Sequence, residues 1–437
     1  MKRPMIPACF LVVLAVMLAC NITPSTPTFI PPGDGGAGGG GSGGGGATPT
    51  VITATATETP SPSLPPPAVA VLRVAYIKDG DVWVWAEGSS SLRLTNSGDA
   101  SAPLLSEDGM VVAFERNGEL WAANADGTNE RQLVSTAYLA GLVTTAGDVV
   151  QLDKLVWQPG RHQLFFNTLV ISGVAGYHIP QLDLYGVDAD TPGSTIINYE
   201  SPGSGGMPYP SPDGSMIALA QSDKVIFMEV SGAFWNVAFT FPSALTYSEW
   251  SYVPELVWRP DGSAVRLVVP ATDPLSDLTQ PSTFWNVPVS GAPTSLTTFI
   301  AVPVFGGVSA FPYISPDGQN VLYLAENASQ AHIHSITAAG VDTDYVWYPS
   351  GSVGLLGWSP DSTHFTFWTP SVNEPGYGSI DTNMRLGDTP SASNVQWGGT
   401  NRYMFLSGDE LRIEEIFQHS TLVDTGVTEF STGIMVY

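Results

Sequence analysis

A short phrase recurs along this chain and constrains its fold more than any other feature. It reads PSPDGSMIALA from Pro210, WRPDGSAVRLVV from Trp258, YISPDGQNVLYL from Tyr313 and WSPDSTHFTFW from Trp358. Looser copies are LSEDGMVVAF from Leu105, WQPGRHQLFF from Trp157 and WGGTNRYMFL from Trp397. Each copy sets a turn between apolar runs. Proline fixes φ early in a type I turn, aspartate tolerates the next position, and glycine takes the left-handed conformation that closes a tight hairpin. A third strand follows, with an apolar or aromatic pair before a polar turn, as in ELWAANADGT (Glu119–Thr128), DLYGVDADT (Asp183–Thr191), FWNVPVSG (Phe284–Gly291) and HIHSITAAG (His332–Gly340). A fourth follows that, as in RQLV after Glu130. Four short strands repeating every roughly 40 to 55 residues are the signature of β-propeller blades.

The fold expected is therefore all-β, a single β-propeller of four-stranded blades. Turn phrases begin near Ser106, Gln158, Ser211, Arg259, Ser315, Ser359 and Gly398. Ahead of them, VLRVAYIKDGDVWVWAEGSSSLRLT (Val71–Thr95) reads as strands two to four of a blade without its first strand. The C-terminal TEFSTGIMVY (Thr428–Tyr437) supplies that strand, which closes the ring and removes an exposed edge. This favours eight blades, with seven as the runner-up. The repeats resemble the WD40-like Pro-Asp repeats of TolB-like propellers, also found in the propeller domains of prolyl oligopeptidases. The resemblance covers residues 71–437 and implies the fold. TolB itself has six blades and a separate N-terminal domain that this chain does not show. No segment reads as an α/β-hydrolase domain, so peptidase activity is not implied.

The N-terminus reads MKRPMIPACFLVVLAVMLAC. Basic Lys2 and Arg3 precede an apolar run from Ala8 to Ala19 that is too short to span a bilayer comfortably and suits a signal-peptide core. It ends in Met17-Leu18-Ala19-Cys20 and resembles a bacterial lipoprotein signal, which implies cleavage before Cys20 and lipid attachment to it. The expected domains are a signal peptide over 1–19, a tether over 20–70 and the propeller over 71–437. The tether holds GDGGAGGGGSGGGG (Gly33–Gly46) and TPTVITATATETPSPSLPPP (Thr48–Pro67), neither of which can bury a core.

The charge balance, 15 Lys+Arg against 40 Asp+Glu, argues against nucleic acid as a partner, because an acidic surface repels phosphate backbones. The two cysteines both lie at the N-terminus, so the propeller offers no disulfide and no thiolate metal site. The candidate partner-binding loop is LTYSEWSYVP, where Tyr247, Trp250 and Tyr252 are residue types favoured at interaction hot spots. The connections 135–150, 169–182, 244–254 and 271–283 are longer than a hairpin needs, and long loops on a rigid scaffold tend to carry binding. His332 and His334 point to one face of a strand, but His334 occupies the place of Trp121, Tyr185, Phe227 and Trp285 in other repeats and is read as filling an aromatic slot. Trp157, Trp258, Trp358 and Trp397 are read as packing between blades. No catalytic residue, metal site or cofactor is assigned. The function expected is a monomeric, lipid-anchored extracytoplasmic scaffold that binds an envelope protein and meets the membrane through Cys20. The alternative is a carbohydrate-binding or carbohydrate-cleaving propeller, metal-dependent in one version.

Overall fold

The computed structural model describes residues 71–174, 176–247, 251–277, 279–301, 313–327, 330–346, 354–369, 374–379, 382–386, 392–416 and 418–432. Within these the chain forms eight antiparallel sheets and one short helix, Thr136–Gly141. Seven sheets have four strands and the third has five. The second sheet shows the common plan: Ala100–Leu105, Val111–Arg116, Glu119–Asn124 and Arg131–Val134 pair in chain order. The third to eighth sheets occupy 149–200, 207–240, 257–299, 313–346, 354–386 and 392–425. The first combines Arg73–Lys78, Asp81–Ala86 and Leu92–Arg93 with the C-terminal strand Val427–Thr432, which pairs antiparallel to Arg73–Lys78.

Second strands are apolar on both faces because neighbouring sheets cover both. Ala264–Val269 is buried along its whole length, whereas the outer strand Trp235–Thr240 is mostly exposed. The buried clusters bridge neighbours. Ala75, Ile77 and Val82 pack on Val112 and Phe114, and Ala113 and Leu120 pack on Leu164 and Phe166. Similar clusters join the third to the fourth sheet, the fourth to the fifth, the fifth to the sixth and the sixth to the seventh. Leu72 and Tyr76 of the first sheet pack on Met404 and Leu406 of the eighth.

The repeat phrase has a structural chemistry at each end. In four turns a fully buried serine donates its hydroxyl to the aspartate two residues on: Ser106 to Asp108 at 2.7 Å, Ser211 to Asp213 at 2.6 Å, Ser315 to Asp317 at 2.5 Å and Ser359 to Asp361 at 2.6 Å. The same hydroxyl accepts the amide that opens the next strand, as from Met216 at 3.0 Å and Asn320 at 2.9 Å. The equivalent tryptophans stitch sheet to sheet through their indole N–H. Trp157 donates to the Leu104 carbonyl at 3.3 Å, Trp258 to Tyr209 at 2.8 Å, Trp358 to Tyr313 at 2.9 Å and Trp397 to Gly357 at 3.4 Å. In each case the carbonyl lies on the first strand of the preceding sheet.

Strand direction alternates within each sheet, so the connections sort to two ends. First-to-second and third-to-fourth turns lie at one end, here the turn face. Second-to-third turns and the connections between sheets lie at the other, the loop face. One expectation needs correction. Residues 169–182 are not simply a loop: Val149–Trp157 and Gln163–Ile171 are long strands, and His178–Pro180 pairs with Leu169–Ile171 as an extra strand. The β-branched run continues past the length of the other blades, which extends the ladder into a projecting tongue.

Candidate binding face

All four of the longer connections emerge on the loop face. Two of them, 135–150 and 244–254, join one sheet to the next; the other two, 169–182 and 271–283, join second to third strands. Acidic residues near the start of third strands hold this face in place. Glu119 accepts the Thr136 amide and hydroxyl at 3.2 Å, and the buried Asp81 accepts the Gly98 amide at 3.1 Å and the Thr95 hydroxyl at 3.0 Å. Ser135 caps the short helix by accepting the Tyr138 amide at 3.2 Å, and Leu139 is buried beneath it. That connection docks on the tongue. The Gly173 amide donates to Asp148 at 3.1 Å, and a Cβ on Gly173 would stand 2.1 Å from the Gly147 carbonyl oxygen, so no larger residue fits.

The tongue presents apolar side chains to solvent: Val174 is 90% exposed, Tyr177 52%, Val149 51% and Ile179 47%. A second exposed group, Leu245, Tyr247 and Leu275, lies where the 244–254 and 271–283 connections meet. The Leu245 amide donates to the Thr272 carbonyl at 2.8 Å. Tyr247 keeps its ring exposed while its hydroxyl donates to Asp273 at 2.8 Å, 3.0 Å from the Ser276 hydroxyl. That contact holds the Asp273 carboxyl below the usual range.

The sequence-derived hot spot divides. Tyr247 is on the surface, and Trp250 lies outside the described residues. Tyr252 is a core residue and not a contact residue: its ring is buried and its hydroxyl donates to the Val268 carbonyl at 3.2 Å. Burial, then the nearby Glu255 carboxylate, raises its pKa. Spacing alone put three aromatics on one loop, but Tyr252 folds back against the fifth sheet, where its ring loses water contact. Cys20 also lies outside the described residues. The tongue was missed as a strand extension. Its signal is the β-branched run LVISGV followed by YHIP, with a glycine on either side of the tip.

Two further side-chain groups stand apart from this face. On the turn face His162 bridges Asp190, at 2.8 Å from Nδ1, and Asp108, at 3.0 Å from Nε2. Burial lowers its pKa, but the two carboxylates outweigh that and the net shift is upward. Cavities of about 440 and 810 Å³ open beside it. In the sixth sheet His334 stacks on Tyr323 with ring centroids 5.1 Å apart, as Tyr185 stacks on Phe166 at 5.3 Å. It does occupy the aromatic slot. Its neighbours include two carboxylates that the sequence reading did not single out, Asp342 and Asp344. Their signal is a D-x-D on the strand that follows H-x-H.

No protein-family model matches the chain, and no curated protein matches it in sequence. Solved structures do. A crystal structure of a eukaryotic initiation factor is similar with a TM-score of 0.53 at 10% identity, over 84% of this chain and 99% of that one. Prolyl oligopeptidase B from Galerina marginata gives 0.47 at 12% identity over 77% of this chain and 52% of that one, so the chain spans about half its length. TolB from Acinetobacter baumannii gives 0.31 at 11% identity, over 67% and 72%. At such identities likeness speaks to fold alone, and the last two scores are too low to carry an argument. With the sheet topology, the first supports one statement: the chain is an all-β propeller.

Proposed function

We propose that this protein is a lipid-anchored extracytoplasmic scaffold that holds a protein partner on its loop face at the cell envelope, without catalysis. The observation that carries this reading is the sorting of all four longer connections to one face, where Val174, Tyr177, Ile179 and Tyr247 stay exposed. Apolar groups gathered on one face of a rigid scaffold are what a protein interface uses. The aliphatic character of the tongue fits a protein better than a glycan, which favours aromatic platforms ringed by polar groups. The anchor rests on the Met17–Cys20 segment and on a 20–70 composition that suits a tether. Among the described residues no helix is long and apolar enough to cross a membrane.

The test is in-cell crosslinking of the full chain, comparing wild type with Val174→Glu and Tyr247→Ala. Val174 has almost no contacts to lose, so its substitution should leave the melting temperature unchanged. The expected result is one envelope protein recovered with wild type and reduced at least about tenfold by Val174→Glu, since a charge at an apolar contact costs more than 1.4 kcal/mol. Equal recovery with both variants, or no specific recovery, sinks the reading. A melting shift produced by a glycan would then support the carbohydrate alternative.

A further inference from the structure

The sixth sheet departs from the repeat in a way the fold does not require. Two residues before the slot that His334 fills, four of the other sheets carry an acid, Asp81, Glu119, Asp183 and Glu410, and three carry Val225, Thr283 and Pro375; none carries a histidine. The sixth carries His332. On the next strand DTDYV places Asp344 directly opposite His334, with Asp342 two residues away on the same side. All four groups lie on the face of the sheet that packs toward the fifth, with Tyr323 beside them.

Their polar atoms converge. His332 Nδ1 lies 2.9 Å from Asp344 Oδ1, and His334 Nε2 lies 3.5 Å from the same oxygen. His332, His334 and Asp344 each offer one ligand atom, all within 4.8 Å of one another. His334 Nδ1 is held by Asp342 Oδ2 at 3.0 Å, and Asp342 in turn accepts the Tyr323 hydroxyl at 3.3 Å. His332 Nε2 is buried with no partner among the described residues, so its polar contact is made through Nδ1.

We propose that His332 Nδ1, His334 Nε2 and Asp344 Oδ1 form a binding site for a zinc-class divalent cation, with Asp342 as a positioning residue. Ligands about 2.0–2.2 Å from a tetrahedral zinc stand about 3.4 Å from one another, and the two contacts to Asp344 bracket that spacing. A carboxylate on the far nitrogen of a ligating imidazole fixes its tautomer and orientation, and Asp342 does this for His334. Two imidazole nitrogens and a carboxylate oxygen suit zinc, and their second carboxylate neighbour balances its charge. His332 is buried and gives the site a fixed floor. The Asp344 side chain is 44% exposed, which leaves a path for the ion and a fourth position for water. Cross-strand ion pairing alone would need only one histidine per aspartate, but here both histidines converge on Asp344 while Asp342 turns to the far nitrogen of His334.

The proposal does not depend on the scaffold reading. The full chain, purified without a histidine tag and stripped by chelator, is titrated with zinc chloride by calorimetry, and the loaded protein is measured by X-ray absorption. One zinc per chain with two imidazole ligands is expected. His334→Gln and Asp344→Asn should each weaken binding at least about 100-fold, and Asp342→Asn about 10- to 100-fold. His419→Gln, exposed in the eighth sheet and away from both sites, should leave zinc binding unchanged. Absence of stoichiometric binding, or undiminished binding in both ligand variants, overturns the site. If a ligand variant fails to fold, the wild-type absorption spectrum decides: zinc without imidazole scattering overturns it as well.

Discussion

In the turn at Ser211 a single hydroxyl does two things. It donates to Asp213 at 2.6 Å and accepts the Met216 amide at 3.0 Å, so a buried polar atom is fully used and the next strand starts in register. The Ser211 contact also holds the Asp213 carboxyl below its usual range. The fifth sheet shows that the turn can form without serine. There Arg259 reaches Asp261 at 3.2 Å, and Asp261, held chiefly by Ser263, is lowered to about 2. Ser211→Ala is therefore expected to fold but to lose about 1–2 kcal/mol, because the Met216 amide is left partly unsatisfied. Urea denaturation checks this as a lower midpoint at unchanged slope. An unchanged midpoint would mean that the proline and glycine alone hold the turn. The aspartate and glycine of this turn were legible in the sequence from turn chemistry. The serine was not, because its second bond is made across the hairpin.

At the scale of the element, the turns between the second and third sheets are joined by charge. His162 comes from the turn of the third sheet, Asp108 from that of the second, and Asp190 from the third-to-fourth turn of the third sheet. Arg131 stands 3.9 Å from Asp190. Burial works against charging His162, but the carboxylates raise its pKa overall. Asp108 is lowered: burial opposes this, and Ser106, the Met110 amide and His162 outweigh it. A raised histidine contributes stability below its unfolded value, near pH 6.5, and loses it as pH rises through the folded value. A lowered aspartate contributes above about pH 4 and loses it on acidification. Both are satisfied near pH 5. His162→Gln should thus destabilise most at about pH 5, by less than about 1 kcal/mol because both aspartates are largely solvated, and least at about pH 8.5. Thermal melts at the two pH values test this, and an equal deficit at both would show that charge is not the link. Sequence placed all three residues in turns but could not place turns of different repeats beside one another.

For the whole molecule the decisive contact is between chain ends. Val427–Thr432 pairs with Arg73–Lys78, and Phe430 is buried against the first and eighth sheets. Lys78 and the Tyr76 hydroxyl both bind Asp424, at 2.7 and 2.6 Å. Phe430→Ala should cost about 3–5 kcal/mol, while Val174→Ala at the exposed tip of the tongue should cost under about 0.5. Chemical denaturation of the two variants measures the difference. Equal effects would mean that the seam between first and last strands carries no particular share of stability. The pairing was legible because the first repeat lacks a strand and the last residues read as a spare one, and an unpaired edge is costly to leave open.

Local physics let the sequence alone determine the repeat, its hairpins, the all-β class and the tryptophan slot. Turn residues and apolar runs act within a few neighbours, so their consequences can be read in order along the chain. Tertiary structure alone decided which aromatic of 244–254 is buried, which end of the propeller carries the longer connections together, and that Asp342 and Asp344 meet His332 and His334. Each of these depends on strand register or on a neighbouring sheet. Shifting register by one residue would turn the two aspartates to the opposite face of their sheet, where His332 and His334 are out of reach.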